Sequence, residues 1–399
     1  MLESYRVLKV MLQENGLELV VEGEVAYFNY FWLRDNCETS WESSTKERTF
    51  DILAEPDNLS PNSAHIKGDF LEIIWSDDKH SRYALHWLKR WHLGENHGDL
   101  AVRSRKAWYG NHYANMARFD YTEVMGAPNR VADWAEALLD EGIALIQGMP
   151  NSEQALQSLC EQFGAVRPSF SGYAFDIFSK AQPENLAYTS KALELHTDLP
   201  AEELAPGIQF LHCRVNDAEG GQSLFVDANA VANALQENYP EYFRILTEYE
   251  VPFRYTTNHQ DVRSKQRIIE LDPNNGEVSG VNFSQHLADI FDFPQRDMDL
   301  FYPAFRKFGH MLQDPRYLMT FRLNAGECIV FDNQRIAHGR ASYLEGSGAR
   351  HLRGCYVERG ELRSTYRVLR AQYPLATDTV AWPQINEPVQ AEVGRGAQL

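Results

Sequence analysis

The chain has 399 residues, 44% apolar and 12% aromatic, enough for two or three domains with real cores and too hydrophobic for a disordered protein. Its 38 lysines and arginines face 56 aspartates and glutamates, and the net −18 repels phosphate backbones and anionic lipid surfaces, so neither nucleic acid nor membrane is expected as a partner. The N-terminal residues interleave charge with apolar side chains, no apolar run approaches the ~18–20 residues of a membrane span, and Cys37, Cys160, Cys213, Cys328 and Cys355 show no disulfide or zinc spacing; a cytoplasmic protein is expected.

Residues 1–100 read as a small β-rich domain, with strands at Glu18–Val21, Val25–Trp32 and Phe70–Trp75. The polar, aperiodic stretch Gly94–Asn115 reads as the linker. Beyond it the spacing predicts a helix over Asn129–Asp140 capped by Gly142, a strand at Ile143–Gln147, and a second helix from Ser152 through Phe163 stopped by Gly164. A series of short strands follows at Pro206–Cys213, Gln222–Val226, Val251–Tyr255, Arg267–Leu271, Glu277–Phe283, Met319–Leu323, Glu327–Phe331 and Arg353–Val357. Helices interrupt the series near Ala228–Glu237 and Arg296–Gln313, the second with Pro303 as a kink or true start. The expected fold is mainly β with flanking helices, a sandwich or jelly roll over residues 116–375, followed by a mobile tail at 376–399.

Three His-x-Asp triplets occur, beginning at His97, His196 and His259. In a strand, residues i and i+2 share a face, so only a triplet at a strand end presents imidazole and carboxylate together. His97 and His259 lie in polar loop sequence, whereas His196-Thr197-Asp198 introduces the strand series. A ferrous oxygenase site needs two histidines and one carboxylate, leaving three metal positions for a chelating co-substrate and O₂. His338 supplies the second histidine, and Arg350, twelve residues on, has the guanidinium fork that grips a carboxylate.

His196-Thr197-Asp198, Gly220-Gly221-Gln222-Ser223, Phe331-Asp332-Asn333, His338-Gly339-Arg340 and Arg350 to Tyr356 together resemble the iron(II)/2-oxoglutarate oxygenases of the taurine dioxygenase superfamily, with the γ-butyrobetaine hydroxylases as the nearest branch. Phe31 to Cys37 resembles that branch's opening motif, and the likeness spans about residues 15–370. It implies a distorted double-stranded β-helix, Fe(II) on His196, Asp198 and His338, 2-oxoglutarate on Arg350 and Ser223, O₂ as oxidant, and ascorbate as an auxiliary reductant.

The same resemblance implies a small trimethylammonium substrate, held by ring faces because the cation has no N–H to donate. Tyr188, Tyr356 and Phe175 are the implied cage, and Asn185 and Asn282 the implied donors to the substrate's anion. Ser171 and Phe175 stand where the branch has a tyrosine and a tryptophan, and Ser284, Gln285 and His286 add hydrogen-bonding capacity beside Asn282. The expected reaction is therefore hydroxylation of γ-butyrobetaine to carnitine, with (2-trimethylammonioethyl)phosphonate, an organophosphonate, as the rival substrate and trimethyllysine third. Of the branch's N-terminal zinc ligands only Cys37 and, distantly, His80 have counterparts, so no zinc is expected there. A homodimer is expected. The competing readings are a metal-free jelly-roll binding protein and a zinc hydrolase on the same three ligands; a hydrolase has no use for Arg350.

Overall fold

A computed structural model describes residues 7–21, 24–92, 99–178 and 186–374, which fall into two compact units divided between Asp99 and Leu100. The predicted tail at 376–399, together with His97 and Asn185, lies outside the described residues.

In the first unit, β1 (Val7–Leu12), β2 (Gly16–Val21) and β3 (Glu24–Asn29) form one antiparallel sheet, and β4 (Pro61–Lys67), β5 (Phe70–Trp75) and β6 (His80–Ala84) a second. Alternation decides which faces are buried: Leu71, Ile73 and Trp75 of β5 join Leu17, Leu19 and Phe28 in one core. The strand predicted through Trp32 ends at Asn29, whose side-chain oxygen accepts the Trp32 N–H at 3.1 Å and caps the helix α1 (Tyr30–Asp35). The aromatic residues that suggest a strand instead form a helix face packed on the sheet, an instance of capping overriding propensity. The unit closes with α2 (Leu85–Trp91), which the sequence pattern does not anticipate. Cys37 is buried in this core and His80 is exposed on β6.

The second unit opens with the stretch read as a linker. From Asp99 on it lacks strands, as its composition suggests, but it is packed: Trp108 is buried, donates to the Glu141 carbonyl and stacks on His112. Arginines add to this aromatic anchor: Arg103 pairs with Asp140, and Arg105 donates to the carbonyls of Val278 and Ser279. There follow β7 (Arg118–Asp120), α3 (Tyr121–Gly126), α4 (Pro128–Glu141), β8 (Ile143–Gln147), α5 (Glu153–Cys160), β9 (Val166–Arg167) and β10 (Phe175–Ile177). Gly142 ends α4 in the left-handed conformation, and the Ser152 hydroxyl caps α5, which stops at Cys160, short of the predicted Phe163.

Next come β11 (Leu193–His196), β12 (Ile208–Asn216), β13 (Ser223–Asp227), α6 (Ala228–Asn238), α7 (Pro240–Glu248), β14 (Glu250–Thr256), β15 (Asp261–Arg267), β16 (Ile269–Leu271), β17 (Val278–Val281) and α8 (Met298–Leu312). Pro303 lies inside α8 and does not begin it. The unit ends with β18 (Met319–Phe321), β19 (Cys328–Asp332), β20 (Ile336–Arg340), β21 (Arg350–Val357) and α9 (Arg359–Gln372).

Two sheets dominate. One runs β10-β21-β12-β19-β8-β7, with β9 on β21; the other runs β11-β20-β13-β18. Leu211, Ile329 and Phe331 of the larger sheet meet Phe225, Phe321 and Ile336 of the smaller in one apolar core, with the Phe225 and Phe331 rings edge to face at 5.4 Å. The architecture is thus mainly β with helices outside the sheets.

His212 on β12 is fully buried, and neither ring nitrogen has a partner among the described residues. Burial, aided by Arg214 and His351, pushes it down to about 4. An unfolded chain would bind a proton there below pH ~6.5 that the native fold refuses until near pH 4, so stability falls with pH across that window. At pH 4.5 the loss from this residue is about 2–3 kcal/mol at ~1.4 kcal/mol per pH unit. Urea titrations at pH 7.5 and 4.5 should accordingly show a smaller acid destabilisation for His212→Leu than for the wild type; equal losses would remove His212 as a cause.

Candidate metal centre

The metal site begins with register. β11 pairs with β20 so that His196 lies directly across from His338, although 141 residues separate them in the chain. On its other side His338 pairs with Phe225 of β13, and two residues along each strand Arg340 faces Ser223. Where β11 ends the chain turns sharply: Leu199 takes φ = 57°, unusual for a branched side chain, and Asp198 is brought back toward the imidazoles. The Thr197 N–H and hydroxyl fasten this corner to the main chain of Phe283, at 2.6 and 3.0 Å.

The ligating atoms of His196, Asp198 and His338 all lie within 4.8 Å of one another, the one group among the described residues with three such donors in reach of a single ion. Asp198 Oδ1 is 3.2 Å from His196 Nε2 and 3.8 Å from His338 Nε2. The Glu194 carbonyl, 2.8 Å from His196 Nδ1, can only accept, so that nitrogen carries an N–H and Nε2 is the atom turned toward Asp198. Desolvation, reinforced by His196, pushes His338 down to about 3, so it is neutral, the form that binds a metal. Burial works against charge on Asp198 too, but His338, His196 and the Tyr356 hydroxyl outweigh it and hold the carboxyl below the usual carboxylate range. Two imidazoles and one carboxylate whose donor atoms converge in this way are a donor set that fits Fe(II).

Close by are three arginines. Arg322 donates to the carbonyls of Asn216, Ala218 and Gly220, and Arg340 to those of Ala187, Thr189 and Lys191. Arg350, only 9% exposed, has no hydrogen-bonding or ion-pair acceptor among the described residues, and its Nε is buried without a partner. Burial and Arg340 lower it to about 10, still charged at neutral pH. A buried cation without a counter-ion is costly, and what stands beside this guanidinium is the Tyr343 ring, its centroid 5.8 Å from Cζ. Gly221, at φ = 68°, runs past it so closely that an added Cβ would sit 3.4 Å from Arg350 Nε.

Of the other predicted residues, Ser223 is buried on β13 and Tyr188 ends a short 3₁₀ turn, Leu186–Tyr188, on the segment fastened by Arg340. Phe175 and Tyr356 pack ring to ring at 5.3 Å. The Tyr356 hydroxyl donates to Asp198 Oδ2 at 2.7 Å. Asn282 is buried and donates to the Arg267 carbonyl at 3.1 Å. His286 stands edge-on to His196 at 4.8 Å, with Ser284 Oγ 3.4 Å from its Nδ1. His259 sits in the turn between β14 and β15 and is not one of the three grouped donors.

Two further participants are amides, the second of them within the Phe331-Asp332-Asn333 motif. Gln209 donates to Asp198 Oδ2 at 2.7 Å, and its one signal is that of a lone amide in the apolar run Ile208 to Leu211. Asn333, wholly buried, accepts the Asp198 N–H at 2.6 Å and donates to the carbonyls of Asp198 and Pro206 at 3.0 Å, clamping the carboxylate's main chain.

Comparison with known proteins follows the same lines. Residues 105–356 match the taurine catabolism dioxygenase TauD, TfdA family. The chain is 37% identical to the gamma-butyrobetaine dioxygenase of Pseudomonas sp. (strain AK-1) over 88% of its own length and 92% of the relative's. Against the human gamma-butyrobetaine dioxygenase the identity is 31%, over 87% and 92%. The mouse mitochondrial trimethyllysine dioxygenase is 28% identical, over 89% and 86%.

Proposed function

The chain belongs to the TauD/TfdA dioxygenase family and is a 2-oxoglutarate-dependent dioxygenase using Fe(II), 2-oxoglutarate and O₂, and on that premise we propose that it hydroxylates a small trimethylammonium zwitterion, γ-butyrobetaine first. The observation that carries this reading is Tyr356, whose ring packs on Phe175 while its hydroxyl touches Asp198, so a cation resting on those rings lies beside the metal ligands. We take the larger and smaller sheets as the two halves of a distorted double-stranded β-helix, with His196, Asp198 and His338 as the iron ligands near its mouth.

With iron bound, the site supplies oxidative decarboxylation of 2-oxoglutarate to succinate and CO₂ and insertion of one oxygen atom into a substrate C–H bond. The chain's own work is placement. Arg350, with Ser223, receives the co-substrate's far carboxylate; Arg340 fixes the segment bearing Tyr188; Phe175, Tyr188 and Tyr356 face the cation. Asn282, with Asn185 beyond the described residues, is assigned to the anion. Burial of His196 and His338 limits the access of bulk water.

Ser284 and His286 beside Asn282 favour a second reading, in which the anion is the phosphonate of (2-trimethylammonioethyl)phosphonate, since more donors suit three oxygens. Trimethyllysine ranks third. Five free, buried cysteines suit the reducing cytoplasm expected for such an enzyme, and a homodimer is its expected form.

The test is succinate formation by the Fe(II)-loaded protein with each of the three substrates, alongside product mass. One substrate should give succinate and a +16 product in equal amounts. Turnover of the phosphonate alone would put it ahead of γ-butyrobetaine, and succinate with none of the three would remove the trimethylammonium reading.

A further inference from the structure

Asp198 Oδ1 faces the two imidazoles, whereas Oδ2 turns away from them onto two donors at 2.7 Å, the Gln209 amide and the Tyr356 hydroxyl. Gln209 is 1% exposed, and its Oε1 is buried with no partner among the described residues. Packing alone does not favour a half-satisfied amide inside an apolar strand, and only its NH₂ can face a carboxylate, so the orientation follows from the chemistry. Tyr356 is likewise buried, and its hydroxyl, 2.7 Å from a carboxylate oxygen that can only accept, is the donor of that bond. The two donors come from neighbouring strands: Gln209 on β12 and Tyr356 on β21 are cross-strand partners.

We propose that Gln209 and Tyr356 are positioning residues that tie down the outer oxygen of Asp198, so that the carboxylate offers the metal one oxygen only. The consequence is arithmetical. Two imidazoles and one carboxylate oxygen leave three of six positions, enough for a two-pronged co-substrate and O₂; a carboxylate bound through both oxygens would leave two. Tyr356 has a second duty, which rests on the trimethylammonium reading of the substrate: its ring belongs to the cation's cage, so the side chain that feels the substrate also holds the metal's carboxylate.

The test uses full-length protein, Gln209→Met and Tyr356→Phe, the latter keeping the ring and losing only the hydroxyl. Anaerobic Fe(II) titration in the absence of substrate should give dissociation constants ~10–100-fold weaker than wild type for each variant, the range usual for outer partners of metal ligands. The charge-transfer absorption of the Fe(II)–2-oxoglutarate complex should shift, a change that a merely structural role would not produce in a protein with unaltered thermal unfolding. Because both donors act on one oxygen, the double variant should lose less than the product of the single losses. Dissociation constants within about threefold of wild type and an unshifted spectrum would overturn the proposal. Failure of the wild type to bind Fe(II), or binding unaffected by His338→Ala, would instead strike the metal assignment itself.

Discussion

In an Arg350→Met variant the KM for 2-oxoglutarate should rise by about two to three orders of magnitude, while Fe(II) affinity stays near that of the wild type. Removing one member of a buried charge pair costs about 2–5 kcal/mol, and each 1.4 kcal/mol is tenfold. The wild-type fold already holds this guanidinium without an acceptor among the described residues, so the same substitution should leave the ligand-free protein as stable as before or more so. Arg350→Lys should fall between, keeping charge but not the two-pronged fork. Thermal unfolding separates the effects: adding 2-oxoglutarate to the Mn(II)-loaded protein should raise the wild-type midpoint further and leave that of Mn(II)-loaded Arg350→Met almost unmoved. A variant destabilised without ligand, yet with an unchanged KM, would make Arg350 a structural residue and leave the co-substrate's carboxylate unassigned.

That acceptorless arginine shows what a sequence can and cannot disclose. Residue type and order point to His196-Thr197-Asp198 and His338, whose donor atoms the fold brings within reach of one ion, and name Arg350 as their companion. Register is not legible, since the pairing of His196 with His338 is decided by how β11 and β20 meet in the sheet. Nor is β20 itself: five residues, with His, Gly and Arg among them, carry no β alternation, and its burial comes from strands on both sides. The charged α9 hides its helix in the same way, burying only Leu362, Tyr366 and Arg370 on one stripe. Arg322 and Arg340 look equivalent to Arg350 as residues; only the carbonyls that the first two meet set them apart from Arg350, which meets none among the described residues. Second partners such as Gln209 and Asn333 are neutral amides whose role appears only when Asp198 folds back on them.

Asp227→Ala should cost about 3–5 kcal/mol of folding stability, the penalty for leaving a buried charge unpaired. Asp227, at the end of β13, meets Arg335 in the turn between β19 and β20, with two nitrogen–oxygen contacts at 2.8 and 3.2 Å; both side chains are at most 2% exposed. Arg335 also donates to the carbonyls of Asp140 and Lys106, so one guanidinium ties the turn to the end of α4 and to the packed stretch that precedes β7. The same turn carries Asn333, which clamps Asp198, and leads directly into His338. Loss of the pair should therefore loosen two metal-ligating segments, and Fe(II) affinity should fall together with the unfolding midpoint. Asp227→Ala/Arg335→Met, with no charge left to bury, should recover part of the stability in urea titrations, the remainder being the lost Asp227 cap on α6 and the lost Arg335 bonds to two carbonyls. If the double variant recovers stability but not Fe(II) affinity, Arg335 sets the geometry of the turn itself; if the single variant unfolds at the wild-type midpoint, the pair holds nothing together.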